Sequence, residues 1–234
     1  MPDLPAPLPP DQRTVGQLIA ESIRAYGSRF WRILPLGLPL ALADQAAVRQ
    51  TIQVQVLVFW AATPLFVAGY LYACRRILGA TPTRTAAAVA VLVWLPFPVL
   101  RAFYILPGLA WLAFIGLAVP AAMVERLGFR DALMRGRGIG TADYVHALGS
   151  LAALVIVVGV AEAALGALLH SQGDSDQRVA VFLSDVVLSP LLFVGGALLY
   201  VDQAARAVRS ARGAGLHPPV DADAAGRPDA QVEP

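Results

Sequence analysis

Residues 118–145 read AVPAAMVERLGFRDALMRGRGIGTADYV, and the meaning of that stretch decides the fold. An apolar run ends at Glu125 and Arg126, then Arg130, Arg135 and Arg137 follow, and the apolar pattern resumes at Tyr144. Positive charge set between two apolar segments is what a cytoplasmic loop between membrane helices carries, because arginine-rich loops stay on that side. Composition agrees. Apolar residues are 57% of the chain and charged residues 15%, against about 45–50% and about 25% in soluble domains. Mean hydropathy is +0.63. A water-soluble fold would have too little polar surface to cover that much apolar surface, so the membrane class follows.

Working outward, six apolar segments are long enough to cross a hydrocarbon core of about 30 Å, which takes roughly 20 helical residues. They cover residues 30–47, 52–73, 86–106, 107–124, 144–169 and 179–201. Backbone groups in lipid must be satisfied within the segment, so these are helices, and the strict alternation of a barrel is absent. The expected fold is all-α: a polytopic membrane helical bundle with about six transmembrane helices and two short amphipathic helices on the inner surface. The first segment contains Pro35, Gly37 and Pro39 and is expected to kink. The third and fourth nearly touch, and Pro107 with Gly108 is expected to supply the turn of a tight hairpin.

Six crossings divide the eighteen arginines fifteen to three, with only Arg49, Arg101 and Arg178 on the second side. The positive-inside rule then places both termini in the cytoplasm of a cell membrane. Every basic residue besides histidine is arginine and alanine is abundant, which points to a GC-rich bacterial source. Trp31, Tyr72, Tyr144 and Tyr200 sit near the inner ends of spans, as an interfacial aromatic belt requires. Thr14 and Gln17 have the spacing of a capping box ahead of the stripe Val15, Leu18, Ile19, Ile23 and Tyr26, which predicts the first amphipathic helix. Phe129, Ala132 and Leu133 predict the second. Small-residue breaks after Arg24 and Arg137 are expected to lead each into a membrane helix. The domain layout is a disordered stretch at 1–12, a single transmembrane domain at 13–206 and a disordered cytoplasmic tail at 207–234. The N-terminus lacks the basic start of a secretory signal peptide.

Charges inside spans cost on the order of 2.5–3.5 kcal/mol each at the bilayer centre and need a reason. Asp44, Arg101, Glu162 and Asp185 all fall in the outer third of their spans and could meet in one polar cluster. A water-filled cavity or headgroup site, with Arg101 countering Glu162 or Asp185, is the functional reading; structural ion pairs tying helices together is the other. A cavity at these residues favours transport, and a sealed pair favours a scaffold. Arg130, Arg135 and Arg137 are candidates for contact with anionic lipid headgroups, at about 1 kcal/mol each, with positive-inside anchoring as the alternative. His170, Asp174 and Asp176 are expected in a solvated outer loop, and Gly159, Ala163 and Ala167 form a stripe suited to helix packing.

Other chemistries are excluded by what is missing. A lone cysteine and three scattered histidines predict no disulfide, no metal site and no cofactor. The pI near 9.0 accompanies a net charge of only +2, so nucleic acid is not a partner. Gly136, Gly138 and Gly140 follow no strand and precede no lysine, unlike a phosphate loop. No activated nucleophile, paired acids at helical spacing or metal ligands argue for an enzyme.

The order of amphipathic helix, first span, AVPAAMVERLGFRDALMRGRGIG, long span and closing SPLLFVGGALLYVDQAARA resembles the membrane-domain family attached to some glycerophosphoryl diester phosphodiesterases and also found as stand-alone proteins. The likeness spans roughly residues 12 to 212. It implies an architecture and transfers no catalytic residue, since the tail after Arg212 is too short and polar for the phosphodiesterase domain. Such sequences usually follow the basic helix with a serine and an aromatic residue, where this chain has Gly136. The function read from the sequence is a non-enzymatic scaffold, assembly or lipid-interacting membrane domain. Its partners are the bilayer, anionic headgroups and a membrane protein or second copy. A small-molecule or ion transporter using the outer polar cluster, with Pro64, Pro96, Pro98 and Pro190 breaking helices, is the alternative.

Overall fold

The computed structural model describes residues 8–168 and 174–213, and within them it is helical with no strand. Expectations for His170, His217 and the tail from residue 214 lie outside the described residues. Helix α1 (Val15–Gly27) opens on the expected capping box, Thr14 and Gln17 exchanging bonds of 3.0 and 3.3 Å. Its buried face is Leu18, Ser22 and Tyr26, while Ile23 stays exposed, so the face is narrower than the predicted stripe. The serine is tolerated there because its hydroxyl donates back to the Leu18 carbonyl at 2.7 Å.

The first expected span is broken rather than continuous. It consists of α2 (Phe30–Ile33), a 3₁₀ turn at Leu34–Gly37 and α3 (Leu38–Ala47). Pro35 and Pro39 cannot donate to a helical ladder, so the chain tightens between them. Gly37 at that turn meets the backbone of Val186 so closely that a Cβ would lie 2.0 Å from its carbonyl oxygen. Helix α4 (Ile52–Leu78) follows and ends on Gly79 in the left-handed conformation. Thr83 caps α5 (Arg84–Trp94) through the Ala86 amide at 3.0 Å.

A kink at Leu95 and Pro96 separates α5 from α6 (Phe97–Phe103). The chain reverses at extended Tyr104, not at Pro107 and Gly108, which lie in the first turns of α7 (Ile105–Ile115). Gly108 serves the hairpin differently, by admitting the Phe97 ring to about 3.0 Å of where a Cβ would be. Next comes α8 (Ala118–Val124), buried from Ala118 to Met123. Helix α9 (Phe129–Ala142) is the quoted arginine stretch.

One expectation for α9 is corrected: the helix runs straight through Gly136, Gly138 and Gly140, and the break falls at Asp143. It is amphipathic as expected, with its apolar face packed on the bundle. A Cβ on Gly136 would fall 2.4 Å from the Ala118 backbone, and one on Gly140 would fall 2.6 Å from the Ala113 carbonyl oxygen. The glycines therefore sit where two helices press together; Ala132 and Ile139 complete the buried face, and Phe129 is exposed.

Helix α10 (Tyr144–Leu168) is the most apolar and the least covered, with Val145 81%, Val160 63% and Leu168 77% exposed. Gly159, Ala163 and Ala167 of the expected packing stripe are exposed, and among the described residues no atom of another helix lies within 4 Å of where a Gly159 Cβ would be. The last expected span is two helices, α11 (Asp174–Leu188) and α12 (Pro190–Gly213), parted at Pro190. Helix α12 continues past Arg206, and residues 10–12 form a 3₁₀ turn against it, held by an Arg209–Asp11 ion pair.

The core lies where α4, α5, α8 and α12 meet, with Phe59, Phe66, Trp94 and Phe193 in a chain of ring contacts 5.6 to 6.1 Å apart. Segments Ile52–Leu78, Arg84–Phe103, Ile105–Val124, Tyr144–Leu168 and Arg178–Gly213 are long and apolar enough to cross a membrane. Residues 30–47 drop out because α3 has only 10 residues. This is a multi-pass helical membrane protein. Gly136→Ala and Gly138→Ala separate the two roles of glycine in one helix: the first should destabilise by about 1–3 kcal/mol through overpacking, the second should stabilise by about 0.5–1 kcal/mol through helix propensity. Thermal melting of both variants in one detergent reads the sign of each.

Candidate functional site

The four charged residues singled out in the spans do converge. Asp44 on α3 and Arg101 on α6 form an ion pair at 3.0 Å, and the guanidinium carbon sits 3.9 Å above the Phe59 ring of α4. Glu162 on α10 lies within hydrogen-bonding reach of Asp185 on α11. Asp185 is only 3% exposed, and its Oδ2 has no donor opposite it. Two carboxyls at that range share a hydrogen bond only when one of them holds a proton.

The prolines explain why five helices can meet here. Pro35 and Pro39 turn α3 under α11, and Pro96 with Pro98 swings α6 away from the line of α5, which carries Arg101 toward Asp44. Carbonyl oxygens at the α5–α6 break find donors in two indoles: Trp60 bonds Leu95 at 2.9 Å and Trp111 bonds Val93 at 2.8 Å. Without them those oxygens would face hydrocarbon unpaired, at several kcal/mol.

The cluster closes one end of a cavity of about 250 Å³. Asp44, Arg101 and Glu162 line that end; Asp185 stands behind Glu162 outside the lining. The walls are apolar and aromatic, including Phe66, Tyr70, Trp94, Phe97, Leu154 and Phe193. From Glu162 to Leu151, both in the lining, the cavity follows α10 for about 16 Å. A second cavity of about 330 Å³ lies between α4 and α6, and it shares Arg101 and Ile105 with the first. Neither the sealed pair nor the open cluster describes the site alone: Asp185 is sealed, and the other three face space.

The arginines of α9 do not form a common site. Arg135 gives its Nε to both Glu125 carboxylate oxygens at 3.0 Å, Arg137 lies 5.5 Å over the Phe114 ring, and Arg130 is exposed. Glu125 also accepts from the Tyr200 hydroxyl at 3.0 Å, so Tyr200 is a buried core contact and not a belt residue. Among the described residues no group of three or more His, Cys, Asp or Glu side chains is arranged to hold a metal ion.

A second polar layer escaped the sequence reading. Arg13 pairs with Asp202 at 2.6 Å, Arg206 pairs with Asp143 at 2.8 Å and also donates to the Arg13 carbonyl at 2.6 Å, and Gln203 donates to the Asp143 carbonyl at 3.2 Å. Asp202 and Gln203 are fully buried. Their adjacency inside an apolar helix was the available signal, but nothing in the sequence pairs residues 189 positions apart. Tyr144, beside this layer, and Glu162, in the other, are separated by about 27 Å along α10, close to one hydrocarbon thickness of about 30 Å.

Removing one partner of the closed layer leaves a buried charge alone. Arg13→Ala should therefore cost about 3–5 kcal/mol, and adding Asp202→Leu should restore most of it. A thermal double-mutant cycle in detergent measures the recovery. No family model matches this chain, and neither the curated proteins nor the solved structures yield a match to it.

Proposed function

We propose that this chain is a non-enzymatic membrane domain that binds an amphipathic, lipid-like molecule inside its helical bundle. The cavity carries the reading. At about 250 Å³ it far exceeds the roughly 10–15 Å³ of space that one water needs, so it is no packing defect. It approaches the ligand-pocket range of about 300–1,000 Å³. Its walls suit a hydrocarbon or aromatic body and its charged end suits a polar head. An apolar void of that size is unstable when empty, because its lining loses dispersion contacts that a guest restores.

With the broken segment 30–47 counted as a sixth crossing, the arginine bias supports both termini in the cytoplasm, at the end that carries Arg13, Arg135 and Arg206, and the arginine- and alanine-rich composition supports a bacterial cell membrane. The likeness to the membrane domains of glycerophosphoryl diester phosphodiesterases fits a stand-alone lipid-interacting role. Arg130, Arg135 and Arg137 are all exposed on α9 and are the candidates to meet anionic headgroups.

Native mass spectrometry of the chain released from mild detergent should find one retained amphipathic molecule. Val158→Trp, which fills the cavity from α10, should abolish retention without lowering the melting temperature. A wild-type mass with nothing bound counts against the reading.

Transport is the second reading, and one observation favours it: Arg101 stands between two cavities as a partition. On that reading Glu162→Gln eliminates solute flux in proteoliposomes while the protein stays folded. Flux unchanged by Glu162→Gln removes the case for transport.

A further inference from the structure

Resting on the amphiphile-binding reading, we infer that the molecule in the cavity is cationic: an ammonium group held at Glu162, with an apolar body against the aromatic walls. Charge balance comes first. The cluster holds three carboxyls, Asp44, Glu162 and Asp185, against one guanidinium, Arg101. Arg101 is already committed to Asp44 at 3.0 Å and to the face of Phe59. Glu162 has no cationic partner among the described residues, and it is the unpaired carboxyl that faces the cavity.

Asp185, sealed behind Glu162, brings no cation of its own: with one proton shared between the two carboxyls, the pair still carries one negative charge that no ion pair among the described residues offsets. An anionic ligand would add negative charge beside two acids and would need Arg101 to leave Asp44. A neutral ligand would leave the acidic surplus uncompensated in a setting of low dielectric. An ammonium ion offsets it.

The walls select the same chemistry. Phe66, Tyr70, Trp94, Phe97 and Phe193 line the same cavity as Glu162. Aromatic faces attract quaternary ammonium groups, more so when desolvated and tryptophan most strongly. Acid and aromatic lining together give a site where the charged head and greasy body of one molecule are both satisfied. The ammonium can belong to a membrane lipid or to a soluble organic cation, since the recognising chemistry is shared.

Equilibrium dialysis of the full chain in phosphatidylglycerol nanodiscs, corrected with empty discs, tests the charge. The probes are phenyltrimethylammonium, its neutral isostere tert-butylbenzene, and benzenesulfonate. The cation should bind at least about tenfold more tightly than the neutral isostere, and benzenesulfonate should not bind. Glu162→Gln should erase the preference and Glu162→Asp should retain it. If Glu162→Gln does not fold, the wild-type ratio alone decides. Equal affinity for cation and isostere, or a preference for benzenesulfonate, overturns the inference while leaving the amphiphile reading standing. Absence of binding by all three probes defeats that reading as well. Discs containing phosphatidylethanolamine assign the source: competition against the cation identifies a lipid ammonium, and undiminished binding identifies a soluble amine.

Discussion

Hydrocarbon offers no hydrogen bonds, and this single deficit governs where the helices of this chain break and what stands beside each break. Proline opens the ladder at residues 95–98, and indoles from two neighbouring helices reach the Leu95 and Val93 carbonyls. At the break in the first apolar segment, the Ser189 hydroxyl points to the Gly37 carbonyl at 3.5 Å, at the outer limit of such a bond. Each unsatisfied group would cost several kcal/mol in lipid. A broken helix here is therefore a tertiary feature: it exists only where another helix brings a donor.

The same solvent removes the hydrophobic drive between helices, so close packing has to take its place. Gly37 against Val186, Gly136 against Ala118 and Gly195 against Leu154 leave no room for a Cβ. Along α10 the opposite holds: Gly149, Gly159 and Gly166 meet nothing within 4 Å. Small residues thus mark contact in α9 and α12 and mark nothing within the chain in α10. The difference lies in which face the bundle turns inward.

That ambiguity explains what could be read from the residues alone. The membrane class and the capping box at Thr14 follow from local or strongly periodic signals, whereas Arg101, expected against Glu162 or Asp185, pairs with Asp44 because the α5–α6 break turns it that way. Glycine has two meanings, break or close approach, and the glycines after Arg135 carried the second. Proline has a similar ambiguity at the α6–α7 hairpin, where Pro107 is compatible with the first turn of a helix and the reversal falls to Tyr104. The Arg13–Asp202 layer needed the three-dimensional path of the chain, because its partners come from opposite ends of it.

The two polar layers then differ in a way that separates architecture from function. In the layer around Arg13 and Asp202 each acid that bears on the bundle meets an arginine: Asp202 meets Arg13, Asp143 meets Arg206, and Glu125 meets Arg135. That layer is neutral pair by pair and lines neither cavity. In the other layer one guanidinium serves three acids, and open space begins where the pairing stops. Stability alone gives no reason for the imbalance, since a buried acid without a partner lowers it. An uncompensated carboxyl at the mouth of an aromatic cavity is tolerated when the missing charge arrives from outside the chain, so the asymmetry between the layers is the argument for a ligand.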